Sequence, residues 1–243
     1  MQVIYGHRGA SGYAPENTLE AFELAAKMGA TGVELDVHIA RDGELVVTHD
    51  EKIDRVAFGS GLVADMTTAE LKKIKFNRTH PEYEHATIPT LREVYELLKP
   101  YGLKVNAELK NSIIDYPNLE EKCIKLAYET GMTDNVLYSS FNHYSMLRVK
   151  KIDPKLPVGL LYECMLIDPW DYAKKLGADA IHPHFSELQV PGEAEKTHAL
   201  GMAVNVWTVN EEKDIRFSIE AGADIIISNY PDVAIKVLGE HQK

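Results

Sequence analysis

A (β/α)8 barrel of the α/β class, with a small insertion after the second barrel strand, is the fold this sequence predicts. Three observations predict it. Short β-type apolar runs alternate with amphipathic helical stretches along the chain. The length, 243 residues, is close to the roughly 250 typical of one such barrel. Several helical stretches end in a similar phrase: Met28-Gly29-Ala30, Leu176-Gly177-Ala178 and Ala221-Gly222-Ala223. Each phrase leads into a new strand, as a recurring αβ turn does. An open doubly wound sheet is the alternative. The first strand lacks a GxGxxG turn and polar clusters end several different strands, which favours the closed barrel.

In chain order, the first strand is expected at residues 3–6, an apolar run that leads into His7. A helix follows at 18–28, with Asn17 as cap, Glu20 available for a capping box and Gly29 just past its end. The second barrel strand spans 32–39, and residues 45–48 form an extra hairpin strand. Residues 51–89 contain no clear β-type run. They hold Gly59-Ser60-Gly61, a short helix near 68–75 and Pro81, and read as the insertion, folded over the barrel mouth. Further strands are expected at 104–109, 135–139, 158–162, 180–182, 203–208 and 224–228. The helices between and after them fall at 91–98, 119–129, 144–151, 169–176, 192–200, 211–221 and 233–238. Asn118, Asn142, Asp168 and Asn210 stand just ahead of helices, and Gly131, Gly177, Gly201 and Gly222 just past them.

With 45% hydrophobic residues and no Ser/Gly/Pro-rich linker, residues 1–243 read as one domain. A formal net charge of −11 argues against nucleic acid and against stable association with an anionic membrane. No stretch approaches the roughly 20 apolar residues of a membrane span. No signal peptide fits, because Val3-Ile4-Tyr5 runs directly into His7 and Arg8. Cys123 and Cys164 belong to no CxxC pair and are expected to be reduced and packed in or near the core. The expected setting is cytoplasmic, and a homo-oligomer stays compatible with the sequence.

The chemistry concentrates at strand ends. Residues i and i+2 of a strand share a face, so Glu34 pairs with Asp36 and Glu108 with Lys110. Two adjacent inward carboxylates repel each other unless a cation or proton intervenes. Three carboxylates without a His or Cys ligand favour Mg²⁺, Ca²⁺ or Mn²⁺ over zinc. A salt-bridge network with Arg8 and Lys110 is the structural alternative. Of ten histidines, His7 and His49 each follow an apolar strand and precede a charged residue. Imidazoles titrate near 6.5 and suit proton transfer at neutral pH. His80, His85 and His241 read as exposed; His38, His182 and His184 read as structural. Arg8 can fork onto phosphate oxygens. Trp207 ends another strand and offers an apolar wall or rim packing. The set suits metal-assisted phosphoryl transfer.

The order of these motifs resembles the glycerophosphodiester phosphodiesterase family, of the bacterial cytoplasmic type. The resemblance covers His7-Arg8-Gly9, Pro15-Glu16-Asn17-Thr18, Glu34-Leu35-Asp36-Val37, Asp42-Gly43 and His49-Asp50. It continues through Ile88-Pro89-Thr90-Leu91, Glu108-Leu109-Lys110, Ser140-Phe141 and Val206-Trp207-Thr208-Val209. It implies a TIM barrel with an insertion after the second barrel strand. It implies a divalent cation held by Glu34, Asp36 and Glu108, with His7 and His49 as the acid/base pair. Arg8 and Lys110 would contact phosphate. The implied reaction hydrolyses a small glycerophosphodiester to sn-glycerol 3-phosphate and an alcohol, a step of lipid and glycerol metabolism. The implied nucleophile is the glycerol 2-hydroxyl, through a cyclic phosphate; direct attack by water fits the same residues. One departure stands out. Where the family often has Thr-Asp before an aromatic and Pro, this chain has Ser228-Asn229-Tyr230-Pro231. Two rivals are a noncatalytic phosphodiester-binding barrel and an enzyme acting on a lysophospholipid. The second needs an apolar groove or a membrane-facing surface, of which the sequence shows no sign. No dedicated anchor for a choline or ethanolamine group is evident either, so broad tolerance of the leaving alcohol and a strict demand for glycerol are expected.

Overall fold

The computed structural model describes residues 2–242. Eight parallel strands close into a barrel: β1 (Val3–His7), β2 (Gly32–Ile39), β4 (Lys104–Leu109), β5 (Val136–Ser140), β6 (Val158–Tyr162), β7 (Ala180–Pro183), β8 (Ala203–Val206) and β9 (Ile225–Ser228). The pairing of β1 with both β9 and β2 closes the ring. A short strand, β3 (Leu45–Val47), pairs antiparallel with β2, as the expected hairpin strand does. Every residue of β2 is buried, as a strand covered on both faces requires.

Helices fill the crossovers: α1 (Leu19–Lys27), α2 (Thr68–Leu71), α3 (Leu91–Leu98), α4 (Leu119–Thr130), α5 (His143–Ile152), α6 (Pro169–Leu176), α7 (Glu193–Ala199), α8 (Glu212–Glu220) and α9 (Pro231–His241). The glycines expected past helix ends all adopt positive φ, from 66° at Gly131 to 91° at Gly222. Two expected caps differ. Thr18, not Asn17, caps α1, its hydroxyl accepting from the Ala21 amide. Asn17 turns left-handed at φ 57° and faces the barrel instead. Glu211, not Asn210, precedes α8, and the Asn210 side chain accepts from the Asn229 amide.

The main core joins the strands to the inner faces of the helices. Inside the barrel His182 is wholly buried, its Nε2 2.8 Å from Asn205 Nδ2. A side chain at Gly159 would put its Cβ 2.1 Å from that ring, so only glycine lets β6 pass it. The insertion, residues 51–89, has a small core of its own, with Ile53, Val56, Val63, Leu71, Phe76 and Ile88 packed on Ala40 and Val46. Capping boxes at Thr67/Glu70 and Thr90/Glu93 start α2 and α3. Cys123 is buried as expected, whereas Cys164 is exposed, because the segment after β6 leaves the core. His80 is half-buried, its ring against Tyr83.

Candidate active site

Strand register assembles the site. His7 lies level with Glu34 across β1 and β2, and Asp36 lies level with Glu108 across β2 and β4. One oxygen each from Glu34, Asp36 and Glu108 falls within 4.8 Å of the others, so the three form the cluster that the strand alternation predicts. All three are buried, with exposures of 5%, 1% and 9%. Burial and the Asp36 charge hold the Glu34 carboxyl well above its ordinary value. Burial outweighs Lys110 and holds Glu108 above its own. Burial opposes Asp36 as well, but Lys110 and Arg8 outweigh it, and Asp36 stays ionised. Asp36 Oδ1 is buried without a hydrogen-bond partner, and so is Asn106 Oδ1 beside Glu34. Orphaned buried oxygens next to carboxylates that resist ionisation are what a site built around a hard cation leaves when only its protein groups are counted.

Two cations brace the cluster. The Arg8 amide donates to Glu34 Oε2 at 3.0 Å, its Nη1 donates to Glu16 at 2.9 Å and its Nε lies 3.5 Å from Asp36. A left-handed φ of 55° at Arg8 turns the chain so that amide and side chain reach the same pocket. Lys110 Nζ donates to Glu108 at 2.9 Å and lies 3.6 Å from Asp36 Oδ1. The salt-bridge network weighed from the sequence is therefore present, around the same carboxylates. Asn17 Nδ2 donates to Asp36 Oδ2 at 2.9 Å. Asn17 was legible only as a cap, because its partner lies 19 residues away.

The two histidines are held alike through Nδ1. His7 Nδ1 donates to the side-chain Oδ1 of Asn229 at 2.7 Å. That leaves His7 Nε2 as acceptor, 3.4 Å from the Thr208 hydroxyl and 3.8 Å from Glu34. Burial, with Arg8 adding to it, pushes the His7 imidazole down to about 3. His49 Nδ1 lies 2.6 Å from Asp50 Oδ1. Asp50 in turn accepts from Arg55, which donates two bonds to Glu16. A chain of charges thus runs from His49 through Asp50, Arg55 and Glu16 to Arg8. His38 is structural, as expected: its Nε2 donates to the His49 carbonyl and its Nδ1 accepts from the Tyr116 hydroxyl. Asn229 is the residue at which this chain departs from the family pattern, so the departure marked a residue that touches His7.

Glu34, Glu108, Arg8 and both histidines line a tight well of about 50 Å³ at the C-terminal ends of the strands, with Asp36 buried behind it. Asn106, Phe141, Leu161 and Trp207 complete it. The Trp207 indole donates to the His182 carbonyl at 3.0 Å and meets Phe141 edge-on, so its ring stands as a fixed wall. Among the described residues none of the insertion lines the well; Arg55 links 51–89 to it through Asp50 and Glu16. Beside the well opens a cavity of about 560 Å³, lined between β5 and α6 mostly by apolar side chains. Phe141 and Leu161 line both spaces. The apolar groove absent from the sequence reading is therefore present.

Comparison with known proteins agrees with this geometry. Residues 7–233 match the profile of the Glycerophosphoryl diester phosphodiesterase family. The chain is 42% identical over 240 residues to a glycerophosphodiester phosphodiesterase of Caldanaerobacter subterraneus, covering 97% of each. It is 39% identical to one of Bacillus altitudinis, covering 99% of each. Among solved structures, it resembles an Oleispira antarctica phosphodiesterase bound to the product sn-glycerol-3-phosphate, at 31% identity and a TM-score of 0.86, over 98% of this chain and 97% of that one. The protein is thus a hydrolase, and the chain belongs to the glycerophosphoryl diester phosphodiesterase family.

Proposed function

We propose that this chain hydrolyses small glycerophosphodiesters to sn-glycerol 3-phosphate and an alcohol, with Glu34, Asp36 and Glu108 holding a divalent cation and His7 and His49 moving the protons. The observation that carries the reading is the buried carboxylate triad facing two histidines whose Nδ1 atoms are already engaged. Family membership and the product bound by the Oleispira relative support the substrate class.

Mg²⁺, Ca²⁺ or Mn²⁺ in that triad would supply charge stabilisation for the phosphoryl oxygens and a contact for the glycerol hydroxyl. The protein groups do the rest. Arg8 and Lys110 give the phosphate its positive surroundings in a chain whose net charge is −11. Trp207 and Phe141 keep one side of the well apolar. His7, whose Nδ1 bond to Asn229 leaves Nε2 as the acceptor, is placed to take a proton. His49, oriented by the 2.6 Å contact of its Nδ1 with Asp50, is placed to give one to the leaving oxygen. An in-line displacement sets the two on opposite sides of phosphorus. A free, exposed Cys164 thiol fits a reducing, cytoplasmic setting. Among the described residues no helix is long and apolar enough to cross a membrane.

The test assays glycerophosphocholine with metal-stripped and metal-restored protein, following glycerol 3-phosphate. Turnover only after Mg²⁺, Mn²⁺ or Ca²⁺ is restored is the expected result. Full turnover by stripped protein would remove the cation from the reading.

A further inference from the structure

The 560 Å³ groove beside the well is unused by the chemistry above. We propose that it binds the leaving-alcohol arm of the diester and favours alcohols with an apolar body. The proposal rests on the functional reading and deepens it.

Continuity is the first argument. Phe141 and Leu161 belong to the walls of both spaces, so a substrate whose phosphorus sits in the well has one arm directed along the groove. Chemistry selects the arm. Glycerol needs hydrogen-bonding partners for two hydroxyls, and Arg8, Glu34, Glu108, His7 and His49 all line the well. In the groove the ring-bearing polar groups are already engaged, which leaves Glu163 as its one charged group. His143 Nε2 donates to the Leu161 carbonyl at 2.8 Å, and its Nδ1 accepts from the Tyr172 hydroxyl at 3.0 Å. The Tyr162 hydroxyl donates to Glu193 at 2.6 Å. With their hydroxyls tied back, Tyr162 and Tyr172 present ring surface to the cavity. Leu166, Ile167 and Pro169 extend the apolar wall.

Exposure is the second argument. Ile167, on the segment between β6 and α6 that forms this wall, is 92% exposed. An apolar arm lying there removes surface from water. Charge is the third. No Lys or Arg lines the groove, whereas Glu163 does. An anionic arm is therefore disfavoured.

The experiment compares the glycerol 3-phosphate esters of methanol, butanol, hexanol and choline. Release of glycerol 3-phosphate is followed in the metal-loaded wild-type enzyme and in Ile167→Asp. Ile167 is on the surface, so this substitution leaves the core untouched. Tyr172→Leu is a second variant that keeps an apolar wall but frees His143. In the wild type kcat/KM should rise up to roughly fourfold per methylene, the scale of burying one CH₂, mainly through KM. Ile167→Asp should lose about tenfold more on the hexyl than on the methyl ester, and Tyr172→Leu should keep the rise with chain length. A flat series overturns the proposal. So does a choline ester preferred over butyl with that preference abolished by Glu163→Gln, which would make the groove a cation site. A flat series that still yields glycerol 3-phosphate leaves the functional reading standing. Failure of every ester would bring down that reading itself.

Discussion

The well and the groove lie side by side at the same barrel mouth and are built in opposite ways. The well measures about 50 Å³ and is made by strand ends, where parallel register fixes His7 against Glu34 and Asp36 against Glu108. The groove measures about 560 Å³ and is made largely by the segment between β6 and α6. Reacting groups must be held within fractions of an ångström, and a strand holds them so; an alcohol arm needs only room and apolar surface, which a loop supplies. Charge follows the same division. In the well, charges are buried and brace one another; in the groove, His143, Tyr162 and Tyr172 spend their polar atoms on protein partners and Glu163 is the one charged lining residue.

The largest expected effect tests whether the well depends on its buried charges as the groove does not. Asp36→Asn removes a full charge from between Arg8 and Lys110 and should lower kcat by about a thousandfold or more, in line with the loss of a principal electrostatic contact. Single-turnover and steady-state rates on glycerophosphocholine measure it. A loss of less than tenfold would remove Asp36 from the cation set. His7→Ala and His49→Ala come next, each lowering kcat by about a hundredfold or more, the scale of general acid/base catalysis. Thermal melts should show folded protein for both, since each side chain stands at the mouth. A variant with near-normal kcat would need its histidine's role reassigned.

A smaller effect separates orientation from chemistry. Asn229 fixes the His7 tautomer without touching the well itself. Asn229→Leu should cost roughly tenfold in kcat with KM little changed, the lower end for partners that orient an imidazole. Asn229→Asp, which keeps the acceptor, should recover much of the loss. Equal damage from both variants would point to packing at Ser11, whose hydroxyl also contacts Asn229.

The well was largely legible in the sequence and the groove was not. Alternation along β2 and β4 is a local rule, so Glu34, Asp36, Glu108 and Lys110 could be placed on shared faces from spacing alone. The same i, i+2 rule applied once more, from Glu108 back to Asn106, reaches another residue of the well. Asn17 and Arg55 act through partners set by the fold: Asn17 meets Asp36 across 19 positions and Arg55 meets Glu16 across 39. The groove left no sign because Leu166 and Ile167, which line it, carry no periodicity between β6 and α6. Their exposure is decided by tertiary packing, which single residues of a loop do not encode. Cys164 sits in that segment too, and it was expected inside for the same reason.

The smallest expected effect concerns the insertion, read from the sequence as a cover over the substrate. Its core is separate and none of its residues lines the well or the groove. It acts through Arg55, which is seated on the short 3-10 turn Ile53–Arg55. The Gly61 backbone steadies that turn: its carbonyl accepts from the Ile53 amide and its amide donates to Asp54. Replacing residues 58–62 by a short flexible loop should therefore loosen Arg55 without uncovering substrate. KM and kcat on the methyl, butyl and choline esters should change by less than about threefold, and by the same factor for all of them, on the scale of a partly exposed ion pair. In an Arg55→Ala background the same replacement should change nothing further, because the two act on one contact. A headgroup-dependent change in KM with Arg55 intact would show instead that the insertion reaches the alcohol arm, and the division between charged well and apolar groove would need a third wall.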